Sequence, residues 1–327
     1  MPILSEEHDF QHPVEGDEAW SESYYFNAYD PGADAGLFTR IGIRPNEGSI
    51  DVGCSIWLPG DEMAFLRGVR EQREMLDRVL EVGAVRYEML APLKRWRITA
   101  EGEARIGHLK KRTLRKASLA LDLTFDALIP AIGSDGQGRE GKGASAEARK
   151  MTGKGHLEQA GRWSGWIEAD GVRHELSAEA RGNRDKSWGP RRWGGPRMWR
   201  WFSINVGDDV HFGGIRIGTD AGDLHRGWVW KDGEHASVRD WDVRTELADD
   251  GITQRVVHLR VTDKRDRVHE LRGDLLRVMP LPSERDGKKT LVNEGLTRWT
   301  HEGRTGYGIA EYLNQLGADG KPLVAVD

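Results

Sequence analysis

The residues best suited to chemistry lie between Arg181 and Trp193, in the segment RGNRDKSWGPRRW. The segment combines an aspartate and a serine with two tryptophans and several arginines. A solvated loop does not need tryptophan at this density, and an apolar core does not tolerate ionised groups without partners. The composition therefore indicates a polar site walled by aromatic rings, with Asp185 as its candidate acid or base.

Two interpretations of Asp185 follow from its neighbours. In an apolar cavity, burial would raise the pKa of its carboxyl, which could then protonate an alkene or a leaving hydroxyl. Alternatively, Asp185 is a structural residue that caps the turn expected at Trp188-Gly189-Pro190. On a regular strand Arg184 faces the other way, so these two neighbours need not pair.

A second candidate pair precedes this segment, in GHLEQ. His156 and Glu158 are two residues apart, and a strand would present both on one face. The carboxylate would raise the pKa of the imidazole, which could then act as a general acid. The alternative is a polar pair at the mouth of a barrel.

Tryptophan is the most unusual residue in the composition. The chain has 13 tryptophans, and this frequency indicates either a tryptophan-rich core or an aromatic pocket for a large apolar ligand. Trp199 and Trp201 would share one strand face. The tryptophans between residues 163 and 241 are Trp163, Trp166, Trp188, Trp193, Trp199, Trp201, Trp228, Trp230 and Trp241.

The composition excludes several functional classes. The net charge of -5 on 327 residues favours neither nucleic acid nor a membrane surface as partner. A lone Cys54 allows no internal disulfide. From the polar N-terminus and the lack of a long apolar run, neither a signal peptide nor a membrane helix is expected. These features predict a cytoplasmic protein without an integral membrane segment. No cofactor or metal motif is recognisable, and the remaining histidines lack ligand spacing.

The hydrophobic pattern predicts an all-β protein of antiparallel barrels or sandwiches with few short helices. Residues 119–127 alternate apolar and polar side chains, as a half-buried strand does. A helix is expected over Asp61–Met75 and a short one in TGYGIAEYLNQLG at the end. The Gly-rich segment 133–150 is interpreted as a flexible loop that divides the chain into domains 1–150 and 151–327. Exposed barrel strands are compatible with a homodimer.

The segments GHLEQAGRWSGWIEADG, GNRDKSWGPRRW and GYGIAEYL resemble the family that contains carotenoid 1,2-hydratase and AttH-like proteins. WSESYYFNAYD and LAPLKRWRI resemble the N-terminal domain of that family, so the resemblance covers most of the chain. It implies two consecutive lipocalin-like β domains. It also implies cofactor-free chemistry: water addition to isoprenoid double bonds, or cyclisation of polyenes in more distant relatives.

Residue by residue, the resemblance places the acidic residue of the family's R-D-x-S-W-G motif at Asp185 and its upstream histidine at His156. Two positions differ. Lys186 stands where histidine is common, and a lysine, with a reference pKa of about 10.4, exchanges protons less readily near neutral pH. Asn183 stands where the carotenoid hydratases carry tyrosine. These differences leave open proton-transfer chemistry on another apolar molecule.

The resulting hypothesis is a hydratase, dehydratase, isomerase or cyclase that uses no metal or cofactor and acts on an isoprenoid, a steroid or a similar apolar small molecule. Asp185 would be the general acid, while His156 and Glu158 would position water or take the second proton. The expected substrate-binding residues are Arg184, Trp188, Trp199, Trp201, Gln159 and Ser187. Two alternatives are a lipocalin-like carrier of a hydrophobic ligand and a scaffold protein without a ligand cavity.

Overall fold

A computed structural model describes residues 1–74, 76–111, 113–137, 143–191, 195–285 and 287–326. These residues form two compact units. The first, here called the sheet unit, is built from residues 2–137 and 153–191, and the second, the barrel unit, from residue 1, residues 143–152 and residues 195–326. Strands paired in antiparallel fashion dominate both units, so the structure confirms the all-β prediction.

The sheet unit contains twelve strands and two short 3₁₀ helices, at Glu6–Asp9 and Pro59–Asp61. Its strands are β1 (Trp20–Asp30), β2 (Ala35–Arg44), β3 (Ser49–Leu58), β4 (Glu62–Glu71), β5 (Val79–Val82), β6 (Val85–Ala91), β7 (Arg95–His108), β8 (Leu114–Ala127), β9 (Ile132–Ser134), β10 (Gly155–Ala169), β11 (Val172–Glu175) and β12 (Arg181–Pro190).

Eight of these strands form a closed ring of pairings. The order is β10-β12-β1-β2-β3-β4-β7-β8, and β8 pairs again with β10. One face of the ring carries the hydrophobic core, to which Tyr24, Phe26 and Trp163 belong. In β8, Leu121 and Leu123 are buried in this core, as the alternation of the sequence predicts.

The barrel unit is a closed eight-stranded barrel with the helix α1 (Ala144–Thr152). Phe202, Trp241 and Trp299 lie in its core. Its strands are β13 (Met198–Val206), β14 (Val210–Thr219), β15 (Gly222–Lys231), β16 (Glu234–Leu247), β17 (Gln254–Asp263), β18 (Val268–Arg285), β19 (Lys288–His301) and β20 (Arg304–Leu316).

The two helices predicted at Asp61–Met75 and in TGYGIAEYLNQLG are wrong. Most of Asp61–Met75 is strand β4, which pairs with β3 along its whole length, and Met75 lies outside the described residues. The terminal segment is strand β20, which pairs with both β13 and β19 and so closes the barrel. In both cases the hydrogen bonds of neighbouring strands outweigh a modest helix propensity. No helix of the described residues is long and apolar enough to cross a membrane.

The structure divides the chain differently from the predicted boundary at residue 150. Strands β10 and β12 follow the Gly-rich segment, yet β10 pairs with β8 and β12 pairs with β1. The RDKSWGP motif therefore belongs to the sheet unit, because these strands complete its ring. The segment 133–150, expected to be a loop, includes part of β9 and most of α1, while residues 138–142 lie outside the described part of the chain.

Candidate active site

The registers of four neighbouring strands gather polar side chains on the face opposite the hydrophobic core. Residues directly opposite each other in an antiparallel pair point to the same face. The pairings across β10, β12, β1 and β2 define two rows, which together we call the polar face. The first row is Glu158, Asp185, Tyr25 and Arg40, and the second is His156, Ser187, Ser23 and Gly42.

Three residues of the polar face form a hydrogen-bonded cluster. His156 Nε2 is hydrogen-bonded to Asp185 Oδ2, and it lies 3.7 Å from Glu158 Oε1. The Glu158 side chain is 3% exposed, whereas those of Asp185 and His156 are 17% and 32% exposed. The structure thus brings together the three predicted catalytic residues, with the imidazole and the Asp185 carboxyl accessible and Glu158 buried beneath them.

The cluster favours the charged imidazolium of His156. Burial opposes this charge, but the negative charge of Asp185, its hydrogen bond and the charge of Glu158 outweigh burial. The nearby Arg191 acts in the opposite direction, and the net result is a pKa of about 9 for His156. At neutral pH the cluster therefore holds an acidic proton on His156, next to a carboxylate that can accept one.

Asp185 does not cap a turn. It lies in the middle of β12, and both of its neighbouring strands are paired there: Asp185 is opposite Glu158 in β10 and opposite Tyr25 in β1. The prediction that Asp185 caps a turn is therefore wrong. Its position on a central strand fixes its backbone on both sides, which holds the carboxyl in one place relative to His156.

The same three residues could also hold a cation. One ligand atom from each of His156, Glu158 and Asp185 lies within 4.8 Å of the others, and imidazole and carboxylate are common ligands of divalent metals. A metal bound through Nε2 would have to replace the hydrogen bond between His156 and Asp185. In the structure, Nε2 is hydrogen-bonded to the Asp185 carboxyl.

Arg184 and Gln159 lie on the opposite face, inside the ring. Arg184 donates hydrogen bonds to Asp9 Oδ1 at 2.6 Å and to Gln159 Oε1 at 2.8 Å. Gln159 in turn donates to the carbonyls of Leu93 and Ile129. Both side chains fasten the N-terminal segment and nearby turns to the strands, and the structure does not bring them to Asp185.

Trp188 also points away from Asp185. Its ring is stacked on His12 with 3.8 Å between the centroids, and it packs directly over Gly155, where a Cβ atom would come within 2.0 Å of the ring. Lys186 lies beside it, 2.5 Å from Glu22 Oε1, and donates to the carbonyl of His8 at 2.9 Å. This side of β12 binds the N-terminal segment.

Trp199 and Trp201 belong to the barrel unit, on strand β13. They alternate with Arg200 and Phe202, of which Phe202 lies in the barrel core. Trp199 Nε1 donates a hydrogen bond to Glu311 Oε1 at 2.5 Å. The second tryptophan of the motif, Trp193, lies outside the described residues.

Of the predicted substrate-binding residues, the polar face includes Ser187, which is directly opposite His156. Strands β1 and β2 contribute Tyr25 and Arg40 to the polar face, and neither residue is among those predicted from the sequence. Strand alternation in WSESYYFNAYD is enough to predict that Ser23 and Tyr25 lie on one face. The sequence does not reveal that β1 pairs with β12, which is 150 residues away in the chain, so these side chains could not be assigned to the site.

The fold and the closed rings of strands define an all-β, lipocalin-like protein. One family model matches this chain over residues 5–316, and the family is described as a domain of unknown function, DUF7064. The chain belongs to this family. No curated protein matches the sequence.

Solved structures show the same fold at low sequence identity. Kievitone hydratase from Nectria haematococca has a TM-score of 0.58 and 12% identity, with 95% of this chain and 93% of that chain covered. CghA with Sch210972 has a TM-score of 0.55 and 11% identity, covering 90% and 87%. Another CghA structure has a TM-score of 0.54 and 12% identity, covering 90% and 88%. At these identities the likeness shows the fold alone.

Proposed function

We propose that the protein is an acid–base enzyme that adds water to, or removes it from, an apolar small molecule, or that isomerises or cyclises such a molecule. The observation that carries this proposal is the hydrogen bond between His156 Nε2 and Asp185 Oδ2, with Glu158 buried behind it. An acid and a base in direct contact on an accessible face are the two groups that proton-transfer catalysis requires.

In the hydration direction, the His156–Asp185 pair delivers its shared proton to one carbon of the double bond. Water then forms the C–O bond at the other carbon. The proton released by this water returns to the His156–Asp185 pair, so atoms and charge balance over the cycle. Glu158 stabilises the imidazolium throughout, because it lies close to Nε2 and is buried.

The names of two fold neighbours are compatible with this proposal. One is a hydratase, and the other is CghA, crystallised with Sch210972. They support a small-molecule substrate for this chain without identifying it. The predicted isoprenoid or steroid remains a hypothesis, as does the absence of a metal and a cofactor from the reaction.

A carrier function is the second candidate, favoured by a separate groove of about 480 Å³ in the sheet unit. Leu4, Leu93, Ile129 and Ala131 give it an apolar lining, and the residues of the polar face do not line it. A ligand held there without chemical change would not need the His156–Asp185 pair.

The deciding experiment is native mass spectrometry after incubation with a lysate of the source cells. The enzyme hypothesis predicts two bound small molecules that differ by one water or, for an isomerase, have equal mass and different retention. Asp185→Asn should retain only one of the pair. A single ligand, bound equally by the wild type and Asp185→Asn, would instead establish the carrier.

A further inference from the structure

The polar face carries guanidinium groups as well as the acid–base cluster. Arg40 is in the first row, but its side chain folds along the strand over Gly42, in the second row. A Cβ atom at Gly42 would lie 2.3 Å from one guanidinium nitrogen and 2.6 Å from the other. Arg40 Nε donates a hydrogen bond to Ser23 Oγ at 2.7 Å. Glycine at position 42 therefore makes room for the guanidinium beside Ser23.

Arg191 approaches the same row from the end of β12. It donates a hydrogen bond to Ser187 Oγ at 3.0 Å, and Ser187 lies directly opposite both His156 and Ser23. The charge of Arg191 lowers the pKa of both His156 and Arg40. Arg191 is therefore close enough to act electrostatically on both the imidazole of His156 and the guanidinium of Arg40.

The surroundings of Arg40 favour the arrival of an anion. Burial lowers the pKa of its guanidinium to about 10, with Asp51 opposing the decrease and Arg191 and Arg44 adding to it. Asp51 lies 3.4 Å from Arg40 but 2.7 Å from Arg44, which is its closer partner. A negatively charged ligand oxygen beside Arg40 would add a charge-assisted hydrogen bond to this guanidinium.

From this arrangement we infer that Arg40 and Arg191 form a subsite for an anionic oxygen of the substrate, on the same face as His156 and Asp185. The substrate class is an apolar molecule whose double bond is conjugated to a carbonyl, so that negative charge develops on the carbonyl oxygen during water addition. This inference rests on the proposed function and specifies its substrate.

Conjugate addition uses the His156–Asp185 pair and both arginines. Asp185 takes a proton from water as the oxygen bonds to the β-carbon, and the π electrons move to the carbonyl oxygen. Arg40 and Arg191 stabilise the resulting enolate. His156 then protonates the α-carbon, and the proton on Asp185 returns to the imidazole. One water has been added, and the pair is restored.

A conjugated substrate also suits the strength of the acid. An imidazolium is a weak proton donor towards an isolated alkene, whereas an enolate carbon is a much stronger base. Fixed positive charges beside the enolate oxygen interact most strongly as negative charge develops there, and this lowers the activation barrier. The acid–base cluster and the arginines therefore point to the same class of substrate.

The test uses benzoate as the anionic probe and benzamide as its neutral counterpart, with the His156 ring observed by NMR in the full chain. Benzoate should shift the His156 resonances and bind about tenfold or more tightly than benzamide, as one charge-assisted contact predicts. Arg40→Gln and Arg191→Gln should each remove most of this preference. Arg97→Gln, in an exposed pair with Asp122, is the matched control and should preserve it.

Equal binding of the two probes, no binding of benzoate up to about 50 mM, or an unchanged preference in both arginine variants would overturn the inference. Thermal unfolding checks that each variant is folded, and Arg40→Met, which removes the charge and keeps much of the apolar volume, replaces Arg40→Gln if that variant is not. Benzoate is not turned over, so this result is independent of catalysis. A protein that binds benzoate here without changing any substrate would contradict the proposed function alone.

Discussion

His156 and Asp185 are joined diagonally across the β10–β12 pair. Asp185 is directly opposite Glu158, and His156 is directly opposite Ser187, yet the imidazole reaches across to the carboxyl of Asp185. The diagonal contact lets one histidine meet both carboxylates, since Glu158 is its neighbour two residues along the strand. This geometry explains why the imidazole is the group in the cluster that holds the proton.

The pKa of His156 should depend on Asp185 more than on Glu158. NMR titration of the His156 ring should give a value of about 9 in the wild type. Asp185→Asn removes the largest favourable charge and a charged hydrogen-bond acceptor, so the pKa should fall towards 6.5, and Glu158→Gln should lower it less. A larger decrease of the His156 pKa in Glu158→Gln than in Asp185→Asn would contradict the conclusion that Asp185 is the main partner of the imidazolium.

The catalytic activity should depend on the same proton, the one held by His156. If the imidazolium is the acid, kcat/KM should decrease as the pH rises through about 9. Asp185→Asn and His156→Gln should each lower kcat by about 10²–10⁴, the usual contribution of general acid–base catalysis. The control is Glu168→Gln, on the same strand β10 but outside the cluster, which should leave kcat unchanged. Full turnover by Asp185→Asn would exclude the proposed mechanism.

The folded state should lose stability as His156 loses its proton. The pKa of His156 is raised in the folded protein, from 6.5 to about 9. Its contribution is therefore complete below pH 6.5 and disappears as the pH rises through about 9. Because the side chain is one-third exposed, the expected loss is about 1–2 kcal/mol after solvent screening. Urea unfolding of the wild type and His156→Gln at pH 6 and pH 9.5 measures it, and a parallel pH dependence in the two proteins would contradict the assignment.

Much of the fold could be predicted from the sequence. Which face of the RDKSWGP strand lies in the core could not. Strand alternation correctly indicates that Arg184 and Asp185 face opposite ways. It does not reveal which face is the core, because Arg184 and Lys186 are charged and yet point inwards. Their partners Asp9 and Glu22 come from the start of the chain, and only the tertiary structure brings them together.

For the same reason, the sequence could place the proposed catalytic residues together better than the proposed binding residues. His156 and Glu158 are two residues apart, so local periodicity places them on one face. Tyr25 and Arg40 join them only because β12 pairs with β1 and β1 with β2. The frequency of tryptophan is compatible with a ligand pocket, but many of these side chains are buried in packing contacts. Trp188, for example, stacks on His12.

The ion pair between Arg184 and Asp9 should be essential for the stability of the sheet unit. Its atoms lie 2.6 Å apart, and both side chains are almost completely buried. Asp9→Ala leaves a buried guanidinium without its carboxylate, which should lower the free energy of unfolding by about 3–5 kcal/mol. Asp122→Ala, which removes the partner of Arg97 at the surface, should cost about 1 kcal/mol or less. Denaturant unfolding compares the two.

A role for Arg184 in substrate binding would give a different result. In that case Asp9→Ala would change KM while leaving the midpoint of unfolding close to that of the wild type. The double variant Asp9→Leu with Arg184→Met distinguishes the two roles further, because it removes both charges and keeps apolar volume. It should recover most of the stability lost in Asp9→Ala, since a buried ion pair can often be replaced by apolar side chains of similar size. If Arg184 only fastens the N-terminal segment, the double variant should also keep the wild-type KM, because His156, Asp185 and the arginines of the polar face lie on the other side of the strands.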